Sequence, residues 1–525
     1  MSKHNQKILI FFLFLFSLYC ALIIGESWDE RFHLIQGKII TSYLFSLGKI
    51  NTDILYRENY SAIYWSLSFL LTNIFPSKYQ IEASHLINLA FSISTIIGIG
   101  KISSELFNKK VAKITFLILF FYPIFFGHMA FNSKDTIIAF SHIWITYLLL
   151  RYFKKQNLKD KTDKYIICIA LCACLGMGIQ LVFLGSLLPI ILFIIIDLTF
   201  YKKFVNKQFN FKKLFFDLLK CFFIFYFILI LFWIDTHGNI ITLPFEFLIK
   251  TFSEDYWTGW PYNLVNGNYY LSENVPKSYL LLNFLYKSPE YILFCYLSFF
   301  TLIIFSRKFF IKKFKFFDYK IFLITLILIF PNLILLFIAY PIYDGIRLFL
   351  WTVPYICIVP ALTIYYFLEN SKSFNLKLNR GFLSLLIIYF LFHFFSLTPY
   401  QYTYLNIFNG TMENRYKKFE NDYWNASIAE LIKKSNFSKN DTLKISECGV
   451  SSLIAKNYLN NNGYVNVDFV SPDKADYFIM TNRVVKTNEE NGELNLTNCF
   501  DKFAGENLYQ VKRNGVVLSV IRKKE

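Results

Sequence analysis

Charged residues that border apolar segments are the first candidates for chemistry in this sequence, because a charge beside lipid is costly and usually has a function. The string ESWDERFH directly follows an apolar run and places Asp29 next to Glu30. A carboxylate in this position can deprotonate a hydroxyl nucleophile. The alternative is that these charges only end the preceding helix. The whole cluster, with an aromatic residue before it and a histidine after it, favours chemistry.

A second polar cluster, GHMAFNSKDT, joins two apolar runs and contains His128, Asn132, Lys134 and Asp135. Asn132 and Asp135 could simply cap the helix that follows, since their side chains accept hydrogen bonds from free N–H groups in a first turn. Capping does not account for His128 and Lys134. A lysine at this place can hold a phosphate group.

The third cluster, YPIYDGIR, contains Tyr343, Asp344 and Arg347. Most basic residues in the chain are lysines, and an arginine at a helix start opposes the helix dipole. A bound anion would explain Arg347, and an Asp344–Arg347 ion pair is the alternative. Together the clusters predict acid–base chemistry beside an anion site, where Lys and Arg could stabilise a phosphate leaving group.

A long polar segment over 235–288 contains DYWTGW, NLVNGNYY and NVPKSYL. Its aromatic residues, together with Pro, Gly and Asn, predict an ordered loop over a cavity, although a plain linker is possible. The sequence has no Walker loop and no GxGxxG after a strand, so nothing indicates nucleotide binding. A lipid-phosphate-linked sugar would serve as an activated donor, because the lipid reaches such a site from within the bilayer.

The elements that must position these clusters are membrane helices. Of 525 residues, 55% are hydrophobic and 17% are charged, and the mean hydropathy is +0.40. A soluble protein has about a quarter charged residues, so the composition excludes a soluble enzyme, a disordered chain and a fibrous protein. About eleven spans are predicted, at 8–24, 84–104, 111–127, 135–152, 164–181, 183–200, 213–234, 289–306, 319–340, 346–368 and 381–398.

Two apolar stretches have special interpretations. The first span could be a signal peptide, but no small-residue cleavage site follows Ile24, so we interpret it as uncleaved. The run at 62–75 is short and is predicted to be an interfacial helix.

The net charge of +18 is concentrated in alternate loops. Those loops include RYFKKQNLKDKTDK, YKKFVNKQFNFKK and RKFFIKKFKFFDYK, whereas the loops that carry the polar clusters are far less basic. By the positive-inside rule, the N-terminus is cytoplasmic and the clusters are outside. The basic charge therefore sets orientation, and nucleic-acid binding is not expected. We expect a multi-pass protein of a bacterial inner membrane.

The C-terminal region, 401–525, is predicted to be a small extracytoplasmic α/β domain. Helices are expected at 425–435 and 451–459, strands at 442–446, 464–470 and 477–480, and a hairpin at 509–522 with an Asn-Gly turn. Cys448 and Cys499 lie in this domain and could form a disulfide if the compartment is oxidising. The other seven cysteines lie in apolar spans without metal-site spacing: Cys20, Cys168, Cys172, Cys174, Cys221, Cys295 and Cys357.

The clusters resemble the GT-C glycosyltransferases of the protein O-mannosyltransferase and aminoarabinose transferase superfamily, which are glycosyltransferase family 39-like. The similarity covers about residues 8–400 with the same order and sidedness. Asp29-Glu30 matches the family's acidic pair, and Asp135 matches its second acidic position. GHMAFNSKD, YDGIRLFLWTVP and PYQYTYLN…FENDYW resemble a bacterial branch that carries GH-x-x-x-NPKD, YDG-x-RHF-x-F-x-x-P and PYQY-x-YxN…DYW. Ser133 and Leu348 stand where that branch has Pro and His.

The resemblance implies transfer of a sugar from a polyprenyl-phosphate donor, with Asp29 as general base and inversion at the sugar C1. Glu30 would orient the base or bind the acceptor, and Asp135 would join them in the catalytic group. Lys134, Arg347 and His128 would hold the donor phosphate. The remaining pocket residues would be Asn132, Tyr343, Asp344, Tyr256, Trp257 and Tyr279. No metal is required, although Asp29 and Asp135 could bind a divalent ion, as in the related oligosaccharyltransferases.

Two other functions are compatible with the sequence. A secondary transporter or flippase for a lipid or glycan is one, but such proteins usually place charged sites at the membrane centre within repeated halves, and no repeat is visible. A scaffold whose outer domain binds a partner is the other. The string DYW at 422–424 is interpreted as a packing motif or part of the site. For a transferase, the acceptor could be a lipid, a glycan or a protein.

Overall fold

The computed structural model describes residues 3–50, 61–156, 162–205, 208–251, 259–338, 340–370, 374–487 and 495–525. Tyr256 and Trp257, two predicted pocket residues, lie outside the described residues. Up to residue 396 the described chain is mostly helical. Its α-helices are α1 (Lys3–Ile23), α2 (Glu30–Phe45), α3 (Ile63–Thr72), α4 (Gln80–Leu106), α5 (Lys109–Phe120), α6 (Pro123–His128), α7 (Asp135–Lys155), α8 (Asp163–Ile179), α9 (Phe183–Ser186), α10 (Leu188–Ile196), α11 (Phe211–Phe232), α12 (Leu243–Lys250), α13 (Tyr279–Lys287), α14 (Glu290–Lys313), α15 (Phe317–Phe337), α16 (Val353–Ile356), α17 (Ile358–Glu369) and α18 (Phe374–Ser396).

Each of the eleven predicted spans is helical over most of its length. By length and composition, eight helical segments of the described chain can cross a membrane: His4–Ile23, Ser77–Leu106, Asp135–Lys155, Phe211–Phe232, Glu290–Lys313, Phe317–Phe337, Arg347–Glu369 and Leu376–Ser396. The stretch at 164–181 forms helix α8, which has 17 residues and is slightly shorter than those eight segments. The stretch at 111–127 is divided before Pro123, because the residue before a proline disfavours helical backbone and Tyr122 is extended. The stretch at 183–200 is divided at Leu187, and Pro189 occupies the first turn of the helix that follows, where its missing N–H is tolerated.

The first predicted outer loop contains a helix that the sequence did not indicate. Helix α2 begins directly after Asp29 and packs along α3, the helix predicted at 62–75. Gly37 permits this contact, since an added Cβ would overlap the backbone carbonyl oxygen of Trp65. Asp29 is therefore held at the start of a packed helix and does not lie in an irregular loop.

The predicted ordered loop at 235–288 contains α12, a β-hairpin and α13. Strands β1 (Tyr262–Val265) and β2 (Asn268–Leu271) pair antiparallel. The two-residue turn between them has positive φ at Asn266 and Gly267, as a tight hairpin turn needs. This compact segment lies against the loop that carries Asp344, since the backbone N–H of Ile342 donates to the carbonyl oxygen of Ser272.

The C-terminal part forms the predicted α/β fold. Its elements are α19 (Ile428–Lys434), β3 (Leu443–Cys448), α20 (Ser452–Asn461), β4 (Val467–Phe469), β5 (Tyr477–Thr481), β6 (Val484–Lys486), β7 (Leu496–Asn498), α21 (Cys499–Lys502), β8 (Glu506–Arg513) and β9 (Val516–Lys523). The main sheet has the order β4-β3-β5-β9-β8, in which β4, β3 and β5 are parallel. The sequence missed the ribbon β6–β7 and the short helix α21. Cys448 and Cys499 form the disulfide that the sequence left open.

The C-terminal domain, residues 401–525, is predicted from the sequence to lie outside the membrane and is called the outer domain below. It packs tightly on the ends of the membrane helices at which the polar clusters lie. An added Cβ on Gly25 would overlap the carbonyl oxygen of Ala426, and one on Gly127 would overlap the backbone of Tyr402. The backbone N–H of Glu26 also donates to the Tyr458 hydroxyl at 2.7 Å. The two parts therefore meet without an intervening layer, at the place where the polar clusters lie.

Candidate active site

The second and third clusters meet at the Arg347 guanidinium. Its Nη1 lies 3.5 Å from Asp135 Oδ2, and its Nη2 lies 3.2 Å from Asp344 Oδ2. All three side chains are buried. A buried guanidinium between two carboxylates is compensated in charge but keeps further N–H donors. The predicted Asp344–Arg347 ion pair is thus present, and it is one half of a larger arrangement.

The turn before α7 places Asp135. The Asn132 side-chain oxygen accepts from the backbone N–H of Asp135 at 2.9 Å, as the capping interpretation predicted, and from that of Lys134 at 3.2 Å. The Asn132 amide nitrogen donates to Asp135 Oδ2 at 2.8 Å. One buried asparagine, two residues before the N-cap Lys134, therefore binds the first backbone N–H of α7 and also orients the carboxylate that faces Arg347.

His128 connects this turn to the outer domain. Its Nδ1 lies 3.2 Å from the Asn132 amide nitrogen, and its Nε2 lies 2.8 Å from the Tyr423 hydroxyl. Since the asparagine nitrogen is a donor, Nδ1 accepts and Nε2 carries the proton. Burial, followed by the positive charges of Arg347 and Lys287, lowers the pKa of His128 well below its usual range. A neutral His128 fits this network. Its two ring nitrogens are occupied by Asn132 and Tyr423, so the geometry favours a role in positioning Asn132 over the predicted role in binding the donor phosphate.

Two aromatic rings lie close to the Arg347 guanidinium. The guanidinium carbon lies 5.0 Å from the centre of the Tyr343 ring and 4.6 Å from that of the Trp424 ring. The Trp424 indole N–H also donates to Asp344 Oδ2 at 3.3 Å. Tryptophan 424 of the DYW string is therefore both a packing residue and part of the site, which the sequence stated only as alternatives.

Asp29 lies at the N-terminus of α2 and is partly exposed. Its carboxylate makes no capping bond to α2. It is close enough to Tyr343 and Arg347 to act on them electrostatically. Burial is the main cause of the raised pKa of Tyr343, and the Asp344 and Asp29 carboxylates contribute in the same direction. All three polar clusters are therefore brought together.

Glu30 points away from solvent and is almost completely buried. Its Oε1 lies 2.8 Å from His85 Nε2 on α4, and its Oε2 accepts from the backbone N–H of Ser27 at 2.6 Å. These contacts fix the start of α2. Among the two roles predicted for Glu30, the geometry favours orientation of Asp29 over contact with an acceptor.

Ser133, which replaces the proline of the resembling branch, has its own partner. Its hydroxyl lies 3.0 Å from His33 Nδ1, and the His33 ring stacks on Trp65 with 4.1 Å between ring centres. The bond ties the turn that carries Lys134 to α2. Lys134 acts electrostatically on Asp135 and Tyr343, so its ammonium group lies near the site.

Tyr279, predicted as a pocket residue, is buried beside the third cluster. Its hydroxyl accepts from the backbone N–H of Gly345 at 2.8 Å and donates to Asn263 Oδ1 at 3.3 Å. Asp344 and Gly345 both have positive φ, of 58° and 70°, so the loop turns sharply here. The buried Tyr279 hydroxyl therefore stabilises this turn through its bond with Gly345 and is not exposed to a ligand.

Several residues of the site were missed in the sequence. Lys287 is buried without an ion pair among the described residues, and its ammonium nitrogen lies 4.9 Å from the centre of the Phe419 ring. Arg483 comes from the outer domain and pairs with Asp344, and Glu420 of the same domain pairs with Arg483. The signal for the outer-domain residues was the DYW string, which lies two residues after Glu420. Nothing in the sequence around Arg483 indicated a role.

A divalent metal was left open by the sequence. In the part of the chain that the structure describes, no group of three or more His, Cys, Asp or Glu side chains is arranged to hold a metal ion. Asp135, one of the two carboxylates considered for it, already faces Arg347.

Solved structures share this architecture. The apo crystal structure of ArnT from Cupriavidus metallidurans, an aminoarabinose transferase, has a TM-score of 0.51 at 10% identity and covers 99% of this chain and 98% of that chain. The structure of that ArnT bound to undecaprenyl phosphate gives 0.50 at 10% identity, with the same coverage. Archaeal oligosaccharyltransferase AglB from Archaeoglobus fulgidus, in complex with an inhibitory peptide and a dolichol-phosphate, gives 0.50 at 11% identity, covering 91% and 70%.

No protein-family model and no curated protein sequence matches the chain. Both structural neighbours are GT-C superfamily proteins, and the chain shares their fold. It is an integral membrane protein with a polytopic helical part and a small C-terminal sheet domain.

Proposed function

We propose that the chain is a membrane glycosyltransferase that moves a sugar from a polyprenyl-phosphate donor to an acceptor at the outer face of the membrane. The observation that carries the proposal is the convergence of a partly exposed carboxylate, Asp29, with a buried guanidinium, Arg347, at the outer ends of the helices. The fold supports it, since ArnT was solved with undecaprenyl phosphate and AglB with a dolichol-phosphate.

Asp29 serves as the general base in this mechanism. A hydroxyl of the acceptor gives its proton to the Asp29 carboxylate while its oxygen attacks C1 of the sugar. The bond between C1 and the phosphate oxygen breaks, and polyprenyl phosphate leaves from the opposite side, so the anomeric centre is inverted. No side chain becomes covalently bound. Glu30 and His85 hold the start of α2 and so keep the base in position.

Arg347 and Lys134 serve to bind the phosphate and to stabilise it as it leaves. An arginine fork matches the oxygens of a phosphate, and charge-assisted bonds of this kind are about twice as strong as neutral ones. Asp135 and Asp344 fix the guanidinium from the protein side. Tyr343 and Trp424 pack close to the guanidinium, so the orientation of Arg347 is preorganised.

The orientation that this mechanism needs has two supports. Basic loops alternate with the cluster-bearing loops, which favours a cytoplasmic N-terminus and an outer site. The outer domain also contains the Cys448–Cys499 disulfide, and disulfides persist in oxidising compartments such as the bacterial periplasm.

The test is mass spectrometry of membrane lipids and envelope glycans from a deletion strain. We expect a polyprenyl-phosphate sugar to accumulate and one sugar modification to disappear. Wild-type protein should restore the modification, and Asp29→Asn should not, although it inserts and folds. The matched control is Glu246→Gln, which removes an exposed carboxylate on α12. Unchanged lipids and glycans, with uptake of a solute by the purified protein in liposomes, would favour a transporter instead.

A further inference from the structure

Asp344 is held by two arginines that come from different parts of the chain. Arg347 approaches its Oδ2 from the membrane part at 3.2 Å. Arg483 forms an ion pair with its Oδ1 from the turn between β5 and β6 of the outer domain. Both arginines are buried, with 3% and 5% of their surface exposed. The outer domain therefore contributes a charge to the same cluster that contains the proposed phosphate ligand.

Arg483 is fixed on its own side by the outer domain. Its Nη1 lies 3.4 Å from Glu420 Oε1, which also accepts from the backbone N–H of Val484 at 3.0 Å. Its guanidinium lies 4.6 Å from the centre of the Trp260 ring. Gly449 gives it room, since an added Cβ there would overlap the Arg483 side chain.

The charges of the cluster explain why a second arginine is needed. Asp135 and Asp344 both face Arg347, so these three groups alone carry a net charge of about −1 and would repel a phosphate. While Glu420 is protonated, Arg483 brings the sum of the four to zero, and the buried Lys287 adds a positive charge nearby. In a buried site, where charges interact more strongly than in water, this difference favours the binding of an anion.

We propose that Arg483 of the outer domain is a positioning residue for Arg347: Arg483 neutralises Asp344 so that Arg347 can bind a phosphate group, and Glu420 positions Arg483. This inference rests on the proposed function. Arg483 takes up the charge of Asp344, and Glu420 holds Arg483 in place. The outer domain is on this basis part of the phosphate site and is not a separate module.

Glu420 makes the site sensitive to pH. The charged groups that act on it are Arg483, Asp344 and Lys287. Burial, with a contribution from the Asp344 carboxylate, raises the pKa of Glu420 to about 7. Below that pH Glu420 is neutral, and Asp344 is then the negatively charged partner of Arg483. Above it Glu420 adds a negative charge to the cluster, which weakens the binding of an anion.

Binding of undecaprenyl phosphate to the full-length protein in nanodiscs tests the proposal, with uncharged undecaprenol as the reference ligand. We expect Arg483→Gln to weaken undecaprenyl phosphate binding at least tenfold and to leave undecaprenol binding within twofold. Arg483→Lys, which keeps the charge, should recover a large part of the loss. The matched control is Arg513→Gln, which breaks another outer-domain arginine–glutamate pair, Arg513 Nη2 to Glu430 Oε2 at 2.5 Å.

A pH series gives a readout that a purely structural role would not change. We measure the affinity for undecaprenyl phosphate at pH 6 and at pH 8 in the wild type and in Glu420→Gln. We expect the loss of affinity between these pH values to be three- to tenfold larger in the wild type. The ligand's own ionisation is the same in both proteins and cancels in this comparison.

The possible failures are distinguishable. If the wild type binds undecaprenyl phosphate no better than undecaprenol, the proposed function fails. If the wild type prefers the phosphate but Arg483→Gln, folded by its melting curve, binds it equally well, only the role of the outer domain is overturned. Identical pH profiles for the wild type and Glu420→Gln would overturn the role of Glu420.

Discussion

His85 Nε2 lies 2.8 Å from Glu30 Oε1, and both side chains are buried. The other ring nitrogen, Nδ1, lies 2.9 Å from the carbonyl oxygen of Ala21 and must donate to it. With Nδ1 protonated, a neutral imidazole would turn a lone pair towards the carboxylate. A second proton therefore lies between His85 Nε2 and Glu30 Oε1. This buried pair joins the start of α2 to α4 directly beside Asp29.

Glu30→Gln should lower the thermal stability of the protein. Removing one partner of a buried pair costs about 3–5 kcal/mol, and the lower end is expected because His85 can lose its proton. Activity should fall more than stability explains, since α2 and Asp29 lose their anchor. Melting curves in detergent, measured beside those of Glu246→Gln, check the first part. An unchanged melting temperature would show that the pair does not hold α2.

Arg347→Lys should weaken phosphate binding although it keeps the charge. A lysine lacks the planar fork that contacts Asp135 and Asp344 at once, and it lacks a planar group to pack beside Tyr343 and Trp424. The loss of one charge-assisted hydrogen bond is worth about 1.5–3 kcal/mol, or roughly 10- to 100-fold in affinity. Undecaprenyl phosphate titrations in nanodiscs measure it. Wild-type affinity in the lysine variant would mean that Arg347 acts only as a point charge.

Gly127→Ala should separate the outer domain from α6. The added Cβ would overlap the backbone of Tyr402, which cannot move aside as the end of a flexible side chain can. We expect a lower melting temperature and faster proteolysis after residue 400. Gly381→Ala on α18 is the control, because nothing lies within 4 Å of its added Cβ and alanine favours a helix by about 1 kcal/mol over glycine. Equal stability of the two variants would contradict the tight contact.

Lys287→Met should change how stability depends on pH. Burial lowers the pKa of Lys287 from its ordinary 10.5 to about 8. Between these values the unfolded chain binds a proton that the folded chain does not, so the Lys287 contribution to folding becomes more favourable as pH rises. The wild type should therefore gain stability relative to Lys287→Met between pH 8 and pH 10.5, by up to about 3 kcal/mol. Parallel melting-temperature curves over that range would contradict the shift.

Much of the fold was predictable because hydrophobic length and loop charge are local properties of the sequence. The apolar runs became helices, and Asn514-Gly515 became the turn between β8 and β9. Helix α2 was missed because its polar residues are buried against α3 and α4, so it lacks an apolar face. The sequence predicted that the three clusters lie on one side of the membrane. It could not predict that Asp135 meets Arg347, because that contact depends on how α7 packs beside the 340–347 loop.

The outer-domain contribution could not be read from the sequence. Arg483 is separated from Asp344 by 139 residues, and no periodicity or motif relates two such positions. Lys287 likewise looked like an ordinary loop lysine, because burial depends on the packing of Phe419 and Tyr423 around it. Ser133 looked like the loss of a rigid proline, whereas the structure compensates with a bond to His33.

The order of residues along the chain has a consequence for how the protein is made. Asp29, Asp135 and Arg347 are all synthesised before Arg483. Until Arg483 has folded against Asp344, the charges of Asp135 and Asp344 outweigh the single charge of Arg347. On the proposed function, a chain whose membrane helices have formed but whose 401–525 domain has not folded would therefore bind the charged lipid poorly, and activity would begin only once that domain is in place.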